Sequence, residues 1–161
     1  MNARLIFASA VIALIATGCG QKDTSAPAAT AAPAGPREIE ITAGDTMKYD
    51  VTQIDAKAGE DIKVVLTNTG TQPVEVMGHN WVLLKAGTDV AAFDAAALMS
   101  KDTGYIPAAL KDEVIAYIPL QGPRKSGEVE FNAPTAPGDY PFLCTFPAHY
   151  QTGMKGTLTV K

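Results

Sequence analysis

From residue 37 onward, apolar residues recur at every second position, and that period leaves few folds open. "REIEI" puts Ile39 and Ile41 on one face. "MKYDVT" does the same with Met47, Tyr49 and Val51, and "DIKVVLTN" with Ile62, Val64 and Leu66. "EVEFN" turns Val129 and Phe131 inward, and "GTLTV" turns Leu158 and Val160 inward. Side chains of a strand alternate between faces, so period two marks half-buried strands. Between the runs stand "AGDT", "DAKAGED", "NTGTQP" and "APTAPGD". Gly, Asn, Asp and Pro each favour tight backbone bends. Short strands with regular turn signals predict an all-β domain, a β-sandwich, over residues 37–161.

One segment departs from this period. "TDVAAFDAAALMSKD" is rich in alanine, and Val90, Phe93 and Ala97 fall at helical spacing. It predicts a single helical excursion, with Tyr105 to Pro107 returning the chain to the sandwich. Asp94, Asp102, Asp112 and Glu113 form no paired motif and read as a solvated face. The sequence has no internal repeat, no Gly-rich phosphate loop and no G-x-S-x-G. A net charge of −4 without basic runs argues against nucleic-acid binding.

Residues 1–18 read as an export signal. Arg4 supplies the positive start, and Leu5 to Ala16 form an apolar run. The run is shorter than the roughly 20 residues a membrane span needs. "ATGC" resembles the bacterial lipoprotein box, in which the cysteine, here Cys19, is acylated and becomes the new N-terminus. Ala16 stands where leucine is more usual, and an ordinary cleaved signal with an incidental cysteine is the alternative. Residues 19–36, "CGQKDTSAPAATAAPAGP", offer almost nothing large and apolar to bury and read as a flexible tether. Its mean reach is on the order of 20–25 Å. The expectation is an exported protein, periplasmic or at the cell surface, anchored to a bacterial membrane by a lipid on Cys19.

The chemistry concentrates in "CTFPAHYQTGMKG", residues 144–156. Cys144, His149 and Met154 follow one another as Cys-x4-His-x4-Met. Cys144 ends the apolar run "YPFLC", and "MKGTLTV" begins the next strand, so the three can converge from one loop. The chain has two cysteines and two histidines. The second imidazole, His79 in "VMGHNWVLL", must come from another strand. Taken singly, a buried Cys, a His and a Met are ordinary packing residues. Together, an unpaired thiol in an oxidising compartment calls for a reason, and metal ligation supplies one. Two imidazoles, a thiolate and a long axial thioether are the ligand set of a blue-copper site. Cys and two His also suit tetrahedral zinc, but zinc seldom takes a thioether.

"MGHNWVL" and "CTFPAHYQTGMKGTLTVK" resemble azurin and, more closely, the membrane-tethered auracyanins, over roughly residues 37–161. The resemblance implies a cupredoxin-like Greek-key β-sandwich holding one copper ion that cycles between Cu(I) and Cu(II). It implies His79, Cys144 and His149 as equatorial ligands and Met154 as the axial one. Gly78 falls where azurin offers a weak backbone-carbonyl contact, although the loop here is one residue longer. Asn80 and Phe146 match positions whose backbone N–H groups hydrogen-bond the thiolate sulfur, and such bonds tune the potential. The N-terminal disulfide of azurins cannot form, for want of cysteines. Trp81 reads as a core aromatic. Met77, Pro147 and Ala148 would form an apolar patch around an exposed edge of His149, where electron donors and acceptors dock. The function so implied is electron transport by a membrane-tethered monomer. A periplasmic copper carrier or store is the alternative. A copper enzyme would need a second site, and one mononuclear centre consumes both histidines.

Overall fold

The computed structural model describes residues 35–161; the expected signal, tether and lipidated Cys19 lie outside the described residues. Among the described residues, eight strands form two sheets. β1 (Arg37–Ala43), β3 (Asp61–Asn68) and β6 (Ser126–Asn132) make the smaller sheet, in the order β1-β3-β6. The larger has the order β2-β8-β7-β4-β5, from β2 (Gln53–Ala56), β4 (His79–Leu84), β5 (Val114–Gln121), β7 (Gly138–Leu143) and β8 (Lys155–Val160). Two pairs, β1 with β3 and β2 with β8, are parallel, and the others are antiparallel. The β-sandwich expected from the alternation is the observed architecture.

Ile62, Val64 and Leu66 are fully buried at alternate positions of β3, and Leu158 and Val160 play the same part in β8. They meet Ile41, Trp81 and Phe142 in the main core between the sheets. Trp81 is the core aromatic expected of it. β4 differs, because every residue of "HNWVLL" is buried. Its outer face is covered by a second, smaller core of Val82, Leu84, Phe93, Ile106 and Leu143. Phe93 belongs to α2 (Val90–Leu98), which follows a short α1 (Val74–Met77). A strand covered on both faces reads as a continuous apolar run. Asp89 caps α2 by accepting from the Ala92 N–H at 3.0 Å.

Four details differ from the expectations. Residues 47–51 form no strand: Tyr49 makes a lone bridge to Ala43, Met47 has φ 55°, and the strand begins at Gln53. The Asp50 carboxylate accepts from both the N–H and the hydroxyl of Thr42 at 2.7 and 2.9 Å, displacing ladder pairing. The chain rejoins the sheet at Val114, after a 3-10 segment at Ala108–Glu113, and not at Tyr105–Pro107. β5 gives no clear strand signal because Pro119 interrupts it; proline is tolerated there because β5 is an edge strand. Lastly, Asp94 is not on a solvated face but on the buried side of α2, beside Phe93. Asp102 and Asp112 are exposed and Glu113 half-buried.

Candidate metal centre

His79 opens β4, and its imidazole is fixed from behind. Its Nε2 lies 3.1 Å from the Gly44 carbonyl, which can only accept. The hydrogen therefore sits on Nε2, and Nδ1 presents a lone pair to the interior. That Nδ1 faces His149 Nδ1 at 3.3 Å, and His149 Nδ1 lies 3.4 Å from Cys144 Sγ. The donor atoms of His79, Cys144 and His149 all lie within 4.8 Å of one another, and all three residues are buried. A lone pair on His79 Nδ1, a second imidazole nitrogen and a thiol brought to one point are the arrangement a soft cation would satisfy.

The loop between β7 and β8 folds back on itself to make this possible. The Cys144 N–H donates to the Met154 carbonyl at 3.1 Å, and the Met154 N–H to the His149 carbonyl at 3.0 Å. Turn bonds from His149 N–H to Phe146 O (3.1 Å) and from Thr152 N–H to Ala148 O (3.1 Å) close the remainder. Met154 is fully buried and tied through its backbone to both of the other loop residues. Ala148 takes a left-handed φ of 71° at the loop's outer tip. Gly78, buried at the end of α1, leads into His79; a Cβ there would meet the Val74 carbonyl at 2.7 Å.

The backbone N–H groups of Asn80 and Phe146 act on the Cys144 sulfur in the direction that favours its anion. The Asn80 side chain locks the strands that carry them. Its Oδ1 accepts from the Thr145 N–H at 2.8 Å, and its Nδ2 donates to Thr145 Oγ1 at 2.7 Å. The buried Tyr49 hydroxyl donates to the Asn80 carbonyl. The Gly44 carbonyl, Thr145 and the Tyr49 hydroxyl were not legible in the sequence as parts of the site. A backbone oxygen 35 residues from His79 leaves no mark in periodicity or composition.

The His149 ring shows no exposed edge: it is 1% exposed. It packs between His79 and Phe146, with ring centroids at 4.9 and 4.8 Å. Of the residues expected to rim it, Met77 and Pro147 are half-buried and Ala148 is exposed.

Electrostatics decides the charge of this cluster. Burial pushes the Cys144 thiol up to about 12, against the two backbone N–H groups. Burial, then His79, pushes His149 down to about 4, and burial lowers His79 as well. Without a cation the three donors are therefore all neutral at pH 7. A metal must displace the thiol proton to bind, since the thiolate is the ligand. Copper affinity should thus rise tenfold for each unit by which the pH is raised across neutral pH, with one proton released per ion. Below about 4, protonation of His149 should add a second. Calorimetry in buffers of different ionisation enthalpy counts these protons; none released at pH 7 would exclude thiolate ligation.

Residues 37–161 match the model of the copper binding proteins of the plastocyanin/azurin family. The chain belongs to that family. Auracyanin-A of Chloroflexus aurantiacus is 37% identical over 129 residues, spanning 78% of this chain and 75% of that protein. Auracyanin-B of the same organism is 36% identical over 124 residues, and the match spans 76% of this chain but only 51% of that protein. Azurin of Bordetella pertussis is 37% identical over 123 residues, with 74% and 81% covered. Reduced auracyanin from Roseiflexus castenholzii superimposes with a TM-score of 0.70 at 39% identity, over 80% of this chain and 99% of that one. Membership in a copper-binding family agrees with the donor set: a buried thiol and two buried imidazoles suit copper.

Proposed function

We propose that this plastocyanin/azurin-family chain carries single electrons between redox proteins, with His79, Cys144 and His149 as equatorial copper ligands and Met154 as the axial one. The observation that carries the reading is the convergence of two buried imidazole nitrogens and a buried thiol within 4.8 Å, on strands and a loop of a rigid two-sheet frame. Copper, when bound, supplies the one-electron Cu(I)/Cu(II) couple. The chain supplies the rest. Gly44 holds the His79 tautomer, the Asn80 and Phe146 N–H groups moderate the charge of the sulfur, and the loop's turn bonds hold His149 and Met154 in register. A frame of this kind changes little with oxidation state, which favours rapid exchange over release of the ion. Donors and acceptors would approach at Met77, Pro147 and Ala148, over the covered His149 ring. The protein would work as a monomer, without catalytic chemistry of its own.

Absorption and electron-spin-resonance spectra of the copper-loaded domain, with reversible voltammetry, test the assignment. Colourless, redox-silent protein would overturn it. Release of copper to an apo-acceptor faster than electron exchange would favour a carrier. Met154→Leu should leave copper bound and raise the potential, because a thioether is replaced by hydrocarbon beside the ion. Loss of all binding would remove Met154 from the axial role.

The proposal extends to the N-terminus: export, then a lipid on Cys19 that holds the domain at a membrane surface through residues 19–36. Among the described residues no helix is long and apolar enough to cross a membrane. Cys19→Ala should move the protein from the membrane fraction to the soluble one; unchanged membrane retention would count against lipidation.

A further inference from the structure

α2 contains one ionisable residue, Asp94, and that residue is 2% exposed. The residues around it in the helix are largely alanine, and alanine at 94 would be the better helix former. A buried carboxylate is costly unless it is hydrogen-bonded. Here only half of it is: Oδ2 accepts from the Gln151 side-chain amide, and Oδ1 has no partner among the described residues. Its negative charge is felt at Cys144, where it opposes ionisation of the thiol. A residue this expensive to bury, at a helix position that packing alone could fill with a methyl group, calls for a further role.

Its one bond leads to the ligand loop. Gln151 is exposed, two residues after His149 and three before Met154. On the loop's next residue, the Thr152 carbonyl accepts from Lys48, which comes from the turn after β1. Two consecutive loop residues are thus held by side chains from two distant elements. The loop's own turn bonds, Thr152 N–H to Ala148 O (3.1 Å) and Met154 N–H to His149 O (3.0 Å), make residues 148–154 one unit. A displacement at Gln151 is carried to both flanking side chains.

We propose that Asp94 is a positioning residue for the metal loop: through the Gln151 amide it fixes where the loop holds His149 and Met154. The inference rests on the ligand assignment above, but one of its tests does not need copper. In the metal-free protein the loop covers Cys144, whose N–H it binds through Met154. Asp94→Leu and Gln151→Ala should each make the Cys144 thiol react several-fold faster with a disulfide reagent. Asp94→Asn keeps an oxygen acceptor for Gln151 and lacks the charge as Asp94→Leu does, so it should react more slowly than Asp94→Leu and lie closer to wild type. In the copper-loaded protein, Asp94→Leu and Gln151→Ala should shift the copper hyperfine splitting in the same direction. The double variant should shift it no further than the larger single one, because one bond is being removed twice. Additive shifts, or an unchanged spectrum and thiol rate with only a lowered melting temperature, would overturn the proposal and leave Asp94 a packing residue. Should Asp94→Leu fail to fold, Gln151→Ala decides alone, since its site is exposed; unchanged thiol rate and spectrum there reject the idea. Wild-type protein that stays colourless with copper would instead sink the ligand assignment, leaving the thiol comparison intact.

Discussion

Cys144→Ser should erase the intense visible band of the copper-loaded protein and weaken copper binding by several orders of magnitude. The band expected of this site is charge transfer from a thiolate to Cu(II), and a hydroxyl offers no such donor. The loss of affinity has a separate cause. Of the candidate donors, only the sulfur can become an anion; the others are two imidazoles and a thioether. With serine, a doubly charged ion would enter a buried site with no compensating negative ligand, and burying unpaired charge is strongly unfavourable. The fold should survive, because serine is smaller than cysteine and the Asn80 and Phe146 N–H groups that act on the sulfur can act on an oxygen. Near-ultraviolet circular dichroism of the metal-free variant checks that point. Retention of the strong band would mean that the chromophore lies elsewhere, and the whole ligand assignment would fail.

The same variant separates the proton linkage from the metal chemistry. In the wild type, the proton released at pH 7 comes from a thiol that burial holds up to about 12. Serine has no proton to give at that pH. Any copper still bound should then release none, and its affinity should become flat in pH until the imidazoles begin to protonate. Burial lowers both imidazoles, so that plateau should extend into acid until the first of them protonates.

How much of this could be read from the sequence depended on how local each determinant is. Ile62, Val64 and Leu66 announce β3 because one face of a single strand decides their burial. Cys144, His149 and Met154 are legible together because one loop carries all three, and His79 follows as the remaining imidazole. Determinants that come from layering are not legible in this way. Asp94 is adjacent to Phe93, and helical spacing puts the buried stripe at Val90, Phe93 and Ala97. Only the packing of α2 against the rest of the fold, with Gln151 of the distant β7–β8 loop reaching its carboxylate, widens that stripe to include Asp94. The covering of the His149 ring has the same origin, since Phe146 and His79 close over it from two separate segments. β5 was hidden for a local reason: Pro119 breaks its apolar run, and only its place at the sheet edge makes that proline acceptable.

Gly156→Ala should be the most destabilising single methyl group in this part of the molecule. Gly156 stands in β8 opposite Phe142 of β7. A Cβ built there would lie 2.3 Å from Phe142 Cζ and 2.4 Å from the Thr52 carbonyl oxygen. Neither neighbour can yield cheaply. Phe142 is fully buried, with its ring against Trp81 at 5.4 Å and Tyr49 at 5.8 Å, and the Thr52 carbonyl accepts the Thr157 N–H at 2.9 Å. Overpacking of a filled core typically costs 1–3 kcal/mol, and backbone on one side puts this case at about 3 kcal/mol or more. The melting temperature of the metal-free domain should fall by on the order of 10 °C. The metal site should respond too. Phe142 lies two residues before Cys144 on the same strand, so a ring pushed aside strains the segment that aims the sulfur. Phe142→Leu removes the atoms that clash, at the cost of a cavity beside Trp81. Combined with Gly156→Ala it should therefore cost less than the two separate losses added together. A melting temperature within 2 °C of wild type for Gly156→Ala, or strict additivity with Phe142→Leu, would mean that β8 moves away from β7 more easily than its ladder implies.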